Sequence, residues 1–345
     1  MLTRSIERFG SKLAIDLGTA NTLISLPGHG ILLNEPSIVA LATEKNKARI
    51  IAIGEEARDM VGQTPASVQI IRPLKDGVIS DYEAAEEMIK YLIRRAFARR
   101  NLIKPNVLLC VPIGATDVDR RTIRQAAWAG GAGKVHILDE PVAAAIGAGC
   151  RVLEQQGSMV VDIGGGTTDI AVLSLGRVIA SKSLRIAGDA MDASIVRFVQ
   201  KNFRFLISNA CAEELKIEVG SARPDRNAEE IEIYIRGTEA GLKGTREISM
   251  NPYQIAEGLQ NAIEEIAEAI VEVVNNLPPD IAADINREGL VLTGGGACLH
   301  QIDEILEEKT GLSCRRAENP MECVIQGAGT VVADLERYRA FLHRF

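Results

Sequence analysis

The chain has 345 residues, with 39 Lys plus Arg against 46 Asp plus Glu and a formal net charge of −7. That length sets an expectation of about two domains, and the acidic balance argues against a basic nucleic-acid binder, so no nucleic-acid partner is expected. At 46% hydrophobic and 25% charged residues the chain is of folded globular composition; its six cysteines form no CxxC pair and are expected to stay reduced, and neither a secretory signal nor an apolar run long enough for a membrane span is read.

Taken in chain order, the first strong pattern is the strand-like Lys12–Asp16, a turn of small residues after Gly18, and the apolar return Leu23–Leu26, a predicted hairpin. Val107–Val111 reads as a strand. A polar helix over about 118–129 and a short strand Val135–Leu138 follow, then Asp139-Glu140-Pro141 opening an Ala-rich helix to Gly149. Met159–Val172 repeats the first pattern: apolar strand, Asp162, apolar residue, glycines, hydroxyl residues, apolar strand. The two copies lie about one domain length apart, so internal duplication is the simplest reading. A strand Val178–Leu184, helices opening near Ala187 and Ala212, and an alternating stretch at Ile231, Ile233 and Ile235 come next. Tyr253–Leu277 carries Leu259, Ile263, Ile266, Ile270, Val273 and Leu277 on one helical stripe, read as core packing. Strand Gly289–Leu292 then runs into Thr293-Gly294-Gly295-Gly296-Ala297 and a helix from Leu299. Mixed strands and helices in two similar halves predict an α/β fold.

Three Gly-rich turns at strand ends suit a polyphosphate. Glycine lets the backbone approach an anion, and consecutive N–H groups form concave anion sites. Thr19, Thr22, Thr167 and Thr168 add hydroxyls; Asp16 and Asp162, at the ends of equivalent strands, suit a Mg²⁺ ion held through water. Neither loop is GxxxxGK[ST], so this is not a P-loop chain.

The loops Asp16–Thr22, Asp162–Thr168 and Gly294–Ala297 resemble the two phosphate motifs and the adenosine motif of the actin-like ATPase superfamily, which includes actin, heat-shock chaperone ATPases and sugar kinases. With Leu33–Ser37, Ile71–Ile79 and Glu140–Gly149 they resemble more closely the MreB family, bacterial actins that guide cell-wall synthesis in rods, over roughly Ser11 to Val332. The resemblance implies the actin-like fold: two duplicated ribonuclease-H-like domains, each with a small subdomain, and the nucleotide in the cleft between them. Its subdomains would be IA (1–32, 77–145 and 320–345), IB (33–76), IIA (146–182 and 258–319) and IIB (183–257).

The resemblance also implies residue roles. Glu140 would orient the attacking water and Thr167 would sense it and the γ-phosphate. Gly18, Thr19, Ala20, Asn21, Gly164, Gly165, Gly166, Thr168, Gly188 and Asp189 would contact the nucleotide, as would Glu213, Lys216, Gly294, Gly295, Gly296 and Ala297, with Asp16 and Asp162 holding the water shell of Mg²⁺. Taken alone, Glu140 is an acid favourable in a first helical turn, and Glu213 and Lys216 are an i,i+3 surface pair. The sequence departs from the family in carrying Asp169 where Glu is common, Cys314-Arg315-Arg316 in place of a more apolar strand, and no clear counterpart to Arg337–Phe345.

Two segments suggest a membrane surface. Lys90, Arg94, Arg95, Arg99, Arg100 and Lys104 crowd a stretch without acids that also holds Leu102 and Ile103; their alternative is a solvated helix end over the core. Leu2, Ile6 and Phe9 fall on one face of a helix that an interface could induce, although a frayed terminus is the plain alternative. The family resemblance implies bilayer contact for both. The apolar C-terminal stripe at Leu335, Tyr338, Phe341, Leu342 and Phe345, read as a terminal helix, could meet the membrane in the same way or dock on the first domain, docking being the commoner fate of such a helix.

The expected function is therefore that of an ATP-hydrolysing bacterial actin homologue, cytoplasmic and peripheral on the inner face of the cell membrane. It would form paired protofilaments with itself, meet wall-synthesis and rod-complex membrane proteins, and maintain cell shape. The alternatives are a small-molecule kinase of the same superfamily, which would need its own acceptor pocket and base, and a chaperone-type ATPase module, which would need a peptide-binding region beyond the second domain.

Overall fold

The computed structural model describes residues 12–44, 47–61, 65, 67–75, 77–96, 104–239 and 244–343. They fall into two compact units. One comprises the described residues of Met1–Gln155, Leu173–Ile179 and Glu322–Phe345, the other Gln156–Val172 and Ala180–Met321.

In chain order the first unit forms β1 (Lys12–Leu17), β2 (Asn21–Leu26), β3 (Gly30–Pro36), β4 (Val39–Glu44), β5 (Lys47–Ile53), α1 (Glu55–Arg58), β6 (Val68–Ile71), β7 (Leu74–Lys75) and β8 (Val78–Ile79). It continues with α2 (Tyr82–Ala96), β9 (Asn106–Val111), α3 (Asp117–Ala129), β10 (Lys134–Asp139) and α4 (Glu140–Gly147). The main sheet has the order β10-β9-β1-β2-β3. β1 and β2 are the expected antiparallel hairpin, while β9 and β10 run parallel to β1. This register aligns Asp16 with Cys110, and Cys110 with Leu138, so β1, β9 and β10 all end along one edge. Ligands of open α/β sheets gather at such carboxyl ends. Leu13, Ile15, Leu109, Ile123 and Ile137 fill the core beneath.

The second unit contains β11 (Ser158–Ile163), the larger parts of β12 (Thr168–Ser174) and β13 (Arg177–Leu184), whose adjoining ends at 173–179 go with the first unit, and α5 (Gly188–Phe203), β14 (Phe205–Leu206), α6 (Asn209–Val219), β15 (Ile233–Glu239) and β16 (Arg246–Met250). Then come α7 (Pro252–Asn275), α8 (Pro279–Glu288), β17 (Leu290–Thr293), α9 (Ile302–Thr310) and β18 (Cys314–Arg316), while α10 (Cys323–Ala333) belongs to the first unit. The sheet order is β13-β12-β11-β17-β18, with β11, β17 and β18 parallel. Read from the other end it is the order of the first sheet, with β11 in the place of β1 and β17 in the place of β9. The repeated Asp-Gly pattern thus marks a repeated topology, and the sheets and helices have the expected α/β character.

Local chemistry explains the helix starts. Thr116 and Asp119 form a reciprocal capping box at α3, and Asn251 and Gln254 do so at α7, where Pro252 takes the first turn. The predicted stripe of α7 is indeed core: Leu259, Ile263, Ile266, Ile270 and Val273 are buried with Leu277. At α4 and α10 the packing is closer than ordinary side chains allow. A Cβ on Gly327 would run into the carbonyl of Ala143, and one on Gly147 into that of Cys323.

Three expectations change. Arg95 is exposed but does not stand alone: it pairs with the buried Glu35 and lies near the Tyr91 ring, and Lys90 pairs with Glu87 at 2.8 Å. Part of the basic stretch is therefore neutralised within its own unit. The C-terminal stripe is not one helix. α10 stops at Ala333, and a single turn at Arg339–Phe341 follows, with Tyr338 and Phe341 buried. The helix after the third Gly-rich turn starts at Ile302 rather than Leu299, because a 3-10 turn over Gly295–Cys298 intervenes. No helix among the described residues is long and apolar enough to cross a membrane.

Candidate functional site

In the first unit the turn between β1 and β2 holds Gly18, Thr19, Ala20 and Asn21. Ser37 holds this turn from behind: its hydroxyl donates to Gly18 O at 2.6 Å, its N–H donates to Ala20 O at 2.9 Å, and its hydroxyl lies 2.8 Å from that of Thr22. Gly18 has no room for a side chain, since a Cβ would press on Asn21 O. Asp16 and Thr19 are buried at the strand end, while Ala20 and Asn21 are exposed. Glu140 opens α4 directly after β10, 9% exposed, on the same sheet edge as Asp16. Ser37 was not singled out from sequence, although it ends the Leu33–Ser37 stretch that carries the family resemblance.

In the second unit Asp162 and Thr293 are register partners on β11 and β17, and the Thr293 hydroxyl donates to Asp162 Oδ1 at 2.6 Å. The turns that leave these two strands, at Gly164–Thr167 and Gly294–Ala297, therefore start side by side. Gly294 has φ 80, and a Cβ there would strike Ile163 O; one on Gly296 would strike the Ile163 side chain. Only glycine fits either place. The first turn closes through Gly164 N–H to Thr167 O at 2.9 Å. Gly295 is exposed and Ala297 buried.

The same turn is fixed from α5 and α6. The N–H groups of Gly188 and Asp189, the first residues of α5, donate to Gly164 O and Gly165 O at 3.1 and 2.8 Å. Lys216 on α6 reaches back, donating to Gly188 O at 3.0 Å and pairing with Asp192 at 2.7 Å. Lys216 is thus tied to Asp192, not to Glu213 as the i,i+3 spacing suggested; Glu213 is half-buried on the same helix. Thr168, buried, donates its hydroxyl to Ile186 O at 2.6 Å, so it ties β12 to the approach to α5. Asp192 and Thr293 were missed in sequence because each acts through a partner on another element. The buried Gly166 and Thr167 complete the turn.

Electrostatically the Asp162 carboxyl stands out. Burial drives it up to about 6, against the smaller opposing effect of the Thr293 hydrogen bond. A buried carboxylate held by a neutral hydroxyl is a group that a nearby cation would return to its charged form. Burial also raises Asp192, opposed by Lys216. Each unit thus offers a buried Asp near the end of its central strand, Asp16 or Asp162, and at least one Gly-rich turn, a donor set suited to Mg²⁺, which prefers few carboxylates and several waters. The membrane candidates Leu2, Ile6, Phe9, Leu102 and Ile103 lie outside the described residues.

Comparison with known proteins bears on this arrangement. The family described as MreB/Mbl protein matches residues 10–340. The cell shape-determining protein MreB of Escherichia coli strain K12 is 44% identical over 341 residues, 98% of each chain. The crystal structure of MreB 5 of Spiroplasma citri bound to AMPPNP superimposes with a TM-score of 0.87 at 34% identity, covering 94% of this chain and 96% of that one. A MamK double helical filament gives a TM-score of 0.76 at 18% identity, covering 94% and 99%, which is a likeness of fold.

Proposed function

This chain belongs to the MreB/Mbl protein family, and on that premise we propose that it is an ATP-binding and ATP-hydrolysing bacterial actin that assembles into filaments and determines cell shape. One observation carries the proposal: the register of Asp162 with Thr293, which starts two Gly-rich turns side by side, the second with no room for a side chain at Gly294 or Gly296, and the N-terminus of α5 set against the first of them. The AMPPNP-bound relative from Spiroplasma citri supports ATP as the ligand.

In this reading the turns 16–22, 162–168 and 294–297 are the ATP-binding segments. Gly18, Thr19, Ala20 and Asn21 present backbone and hydroxyl donors to phosphate, as do Gly164, Gly165, Gly166 and Thr167. Gly294, Gly295, Gly296 and Ala297 give the adenosine a close backbone approach. Thr168, Gly188, Asp189 and Lys216 keep the second turn in shape through the bonds already described, and Glu213 faces the ribose and base. Asp16 and Asp162 would hold Mg²⁺ through its waters, and the ion would supply charge neutralisation on the phosphate oxygens. Glu140 orients the attacking water, and the Thr167 hydroxyl holds it near the γ-phosphate. Water's oxygen bonds to phosphorus, the bond to the β-phosphate bridging oxygen breaks with its electron pair, and ADP and phosphate leave. Catalysis of this kind is mainly positioning and electrostatics, which fits the absence of a lysine from the turns.

The four-subdomain division read from the sequence belongs to this proposal. So do pairing of protofilaments, attachment to the inner face of the cytoplasmic membrane through Leu2, Ile6, Phe9, Leu102 and Ile103, and work with wall-synthesis and rod-complex membrane proteins. A filament follows where one chain's surface fits a different surface on the next copy without closing a ring. Electron microscopy with Mg²⁺ and ATP on anionic lipid tests the reading. Straight filaments on the lipid are expected. Phosphate transfer to a sugar or acid, with no filaments, would point instead to a kinase.

A further inference from the structure

Asp139 occupies the N-cap position of α4, where an Asp ordinarily turns back to accept hydrogen bonds from the first N–H groups of its own helix. Its side chain makes no such cap. It points away, and its Oδ1 accepts from Arg120 Nη2 at 3.2 Å and lies 2.8 Å from His343 Nε2. The contact is well shielded, with side-chain exposures of 11% for both Asp139 and Arg120 and 28% for His343.

Each partner is itself fixed. Arg120 sits one turn into α3, behind the Thr116–Asp119 capping box, and also donates to Ile113 O at 3.2 Å. His343 follows the buried Tyr338 and Phe341, and its own N–H donates to Ile137 O at 3.1 Å, adding a rung to the outer strand of the sheet. Segments from α3 and from the chain after α10 thus converge on the one residue that precedes Glu140. Behind it, the glycine-mediated contact of α4 with α10 leaves the helix little freedom to slide. A returning cap would have satisfied the helix equally well; the outward carboxylate ties its start to two distant segments.

We infer that His343 and Arg120 are positioning residues for ATP hydrolysis, acting through Asp139 on the place of Glu140; the inference rests on the reading of Glu140 as the group that orients the attacking water. One peptide unit links Asp139 to Glu140, so a displaced strut moves the glutamate. Misplacement by about 1 Å in a reaction governed by positioning costs up to ~100-fold in rate. It follows that any event lifting the segment around His343 off β10 slows hydrolysis and leaves nucleotide binding in place.

The test is single-turnover phosphate release, with protein in excess over ATP, for the unsubstituted chain and for H343A, H343Q, D139N and E140A. Affinity for a fluorescent ATP analogue and the thermal midpoint are measured beside it. H343A is expected to slow release about 10-fold, with affinity within about twofold and the midpoint little changed. H343Q, whose amide N–H can take the place of Nε2, is expected to recover most of the rate. D139N keeps the shape and weakens both partners, so it is expected to be slow as well, and it decides the question should H343A fail to fold. H343A or D139N releasing phosphate at the original rate beside an inactive E140A overturns the inference and leaves the role of Glu140 standing. Affinity falling in step with rate, with no recovery in H343Q, marks a merely structural contact and overturns it too. E140A at the original rate overturns the reading beneath it.

Discussion

The Thr293 hydroxyl donates to Asp162 Oδ1 at 2.6 Å, across paired positions of two parallel strands. That contact sits where two Gly-rich turns leave the sheet, and it joins a buried carboxyl to the strand that introduces the third turn. Asp16, the matching residue of the first unit, is paired in register with Cys110. The duplicated fold therefore repeats the position of the carboxylate and varies what stands beside it.

This pair has a consequence for pH. Unfolded, Asp162 would titrate near 4; folded, burial raises it to about 6. Between those values the folded chain holds a proton that the unfolded chain has lost. The stability this group contributes is full below pH ~4, falls as pH rises through ~4–6, and is flat above. Denaturation of the nucleotide-free chain across that range should show this slope for the unsubstituted chain and lose it in D162N. Mg²⁺-nucleotide binding, which needs the carboxylate, should tighten over the same range. A slope unchanged in D162N would remove Asp162 as its source.

Replacing Lys216 leaves Asp192 buried without its ammonium partner. K216M is expected to destabilise the chain by about 2–4 kcal/mol, because breaking a buried pair strands a charge. The double variant K216M/D192N should regain much of that loss, while nucleotide affinity stays weak because Gly188 O has lost its donor. Chemical denaturation and nucleotide titration separate the two effects. Equal instability of the single and double variants would argue against the pairing.

At Gly296 a methyl group meets the Ile163 side chain, and at Gly294 it meets the Ile163 carbonyl with φ already positive. G294A should therefore weaken ATP binding more than G296A, since a backbone oxygen yields less than a side chain. Both should remain folded, as the turn lies at the margin of the core. Equilibrium binding of a fluorescent ATP analogue checks the order, and the reverse order would count against this turn geometry.

Gly327 lies over the carbonyl of Ala143 at the contact of α10 with α4. G327A is expected to push the helices apart and lower stability by about 1–3 kcal/mol, with slower ATP hydrolysis because α4 begins at Glu140. Thermal unfolding and phosphate release measured together check both; a full rate in a destabilised variant would separate this packing from the chemistry.

For the membrane, deletion of residues 1–10 combined with L102S and I103S should abolish co-sedimentation with vesicles containing anionic lipid. Retained binding would remove those residues as the anchor.

Much of this was legible in the sequence where the signal is local. The two Asp-Gly hairpins, the third glycine run and the α7 stripe each lie within one element and one period, and the repeated topology follows from the repeated hairpin. The supports of the site were not legible. Ser37 meets Gly18 from beyond a hairpin, Asp192 meets Lys216 from another helix, and His343 meets Asp139 from the far end of the chain. Side-chain bonds of this kind depend on the finished packing and leave no period behind. The C-terminal stripe docks, with Tyr338 and Phe341 buried, but not as one helix, because buried aromatics at helical spacing are equally served by one 3-10 turn. The basic stretch was only partly legible, because a charge count does not register that Glu35, distant in sequence, pairs with Arg95.

Glu140 as the hydrolytic residue of a filament-forming ATPase is tested by measuring phosphate release and filament mass together, in Mg²⁺ and ATP, for the unsubstituted chain and for E140A. The unsubstituted chain is expected to assemble and release phosphate, and E140A to bind ATP and assemble filaments that persist while releasing phosphate at less than about one-tenth of the rate. An E140A chain that assembles and releases phosphate at the original rate would contradict it.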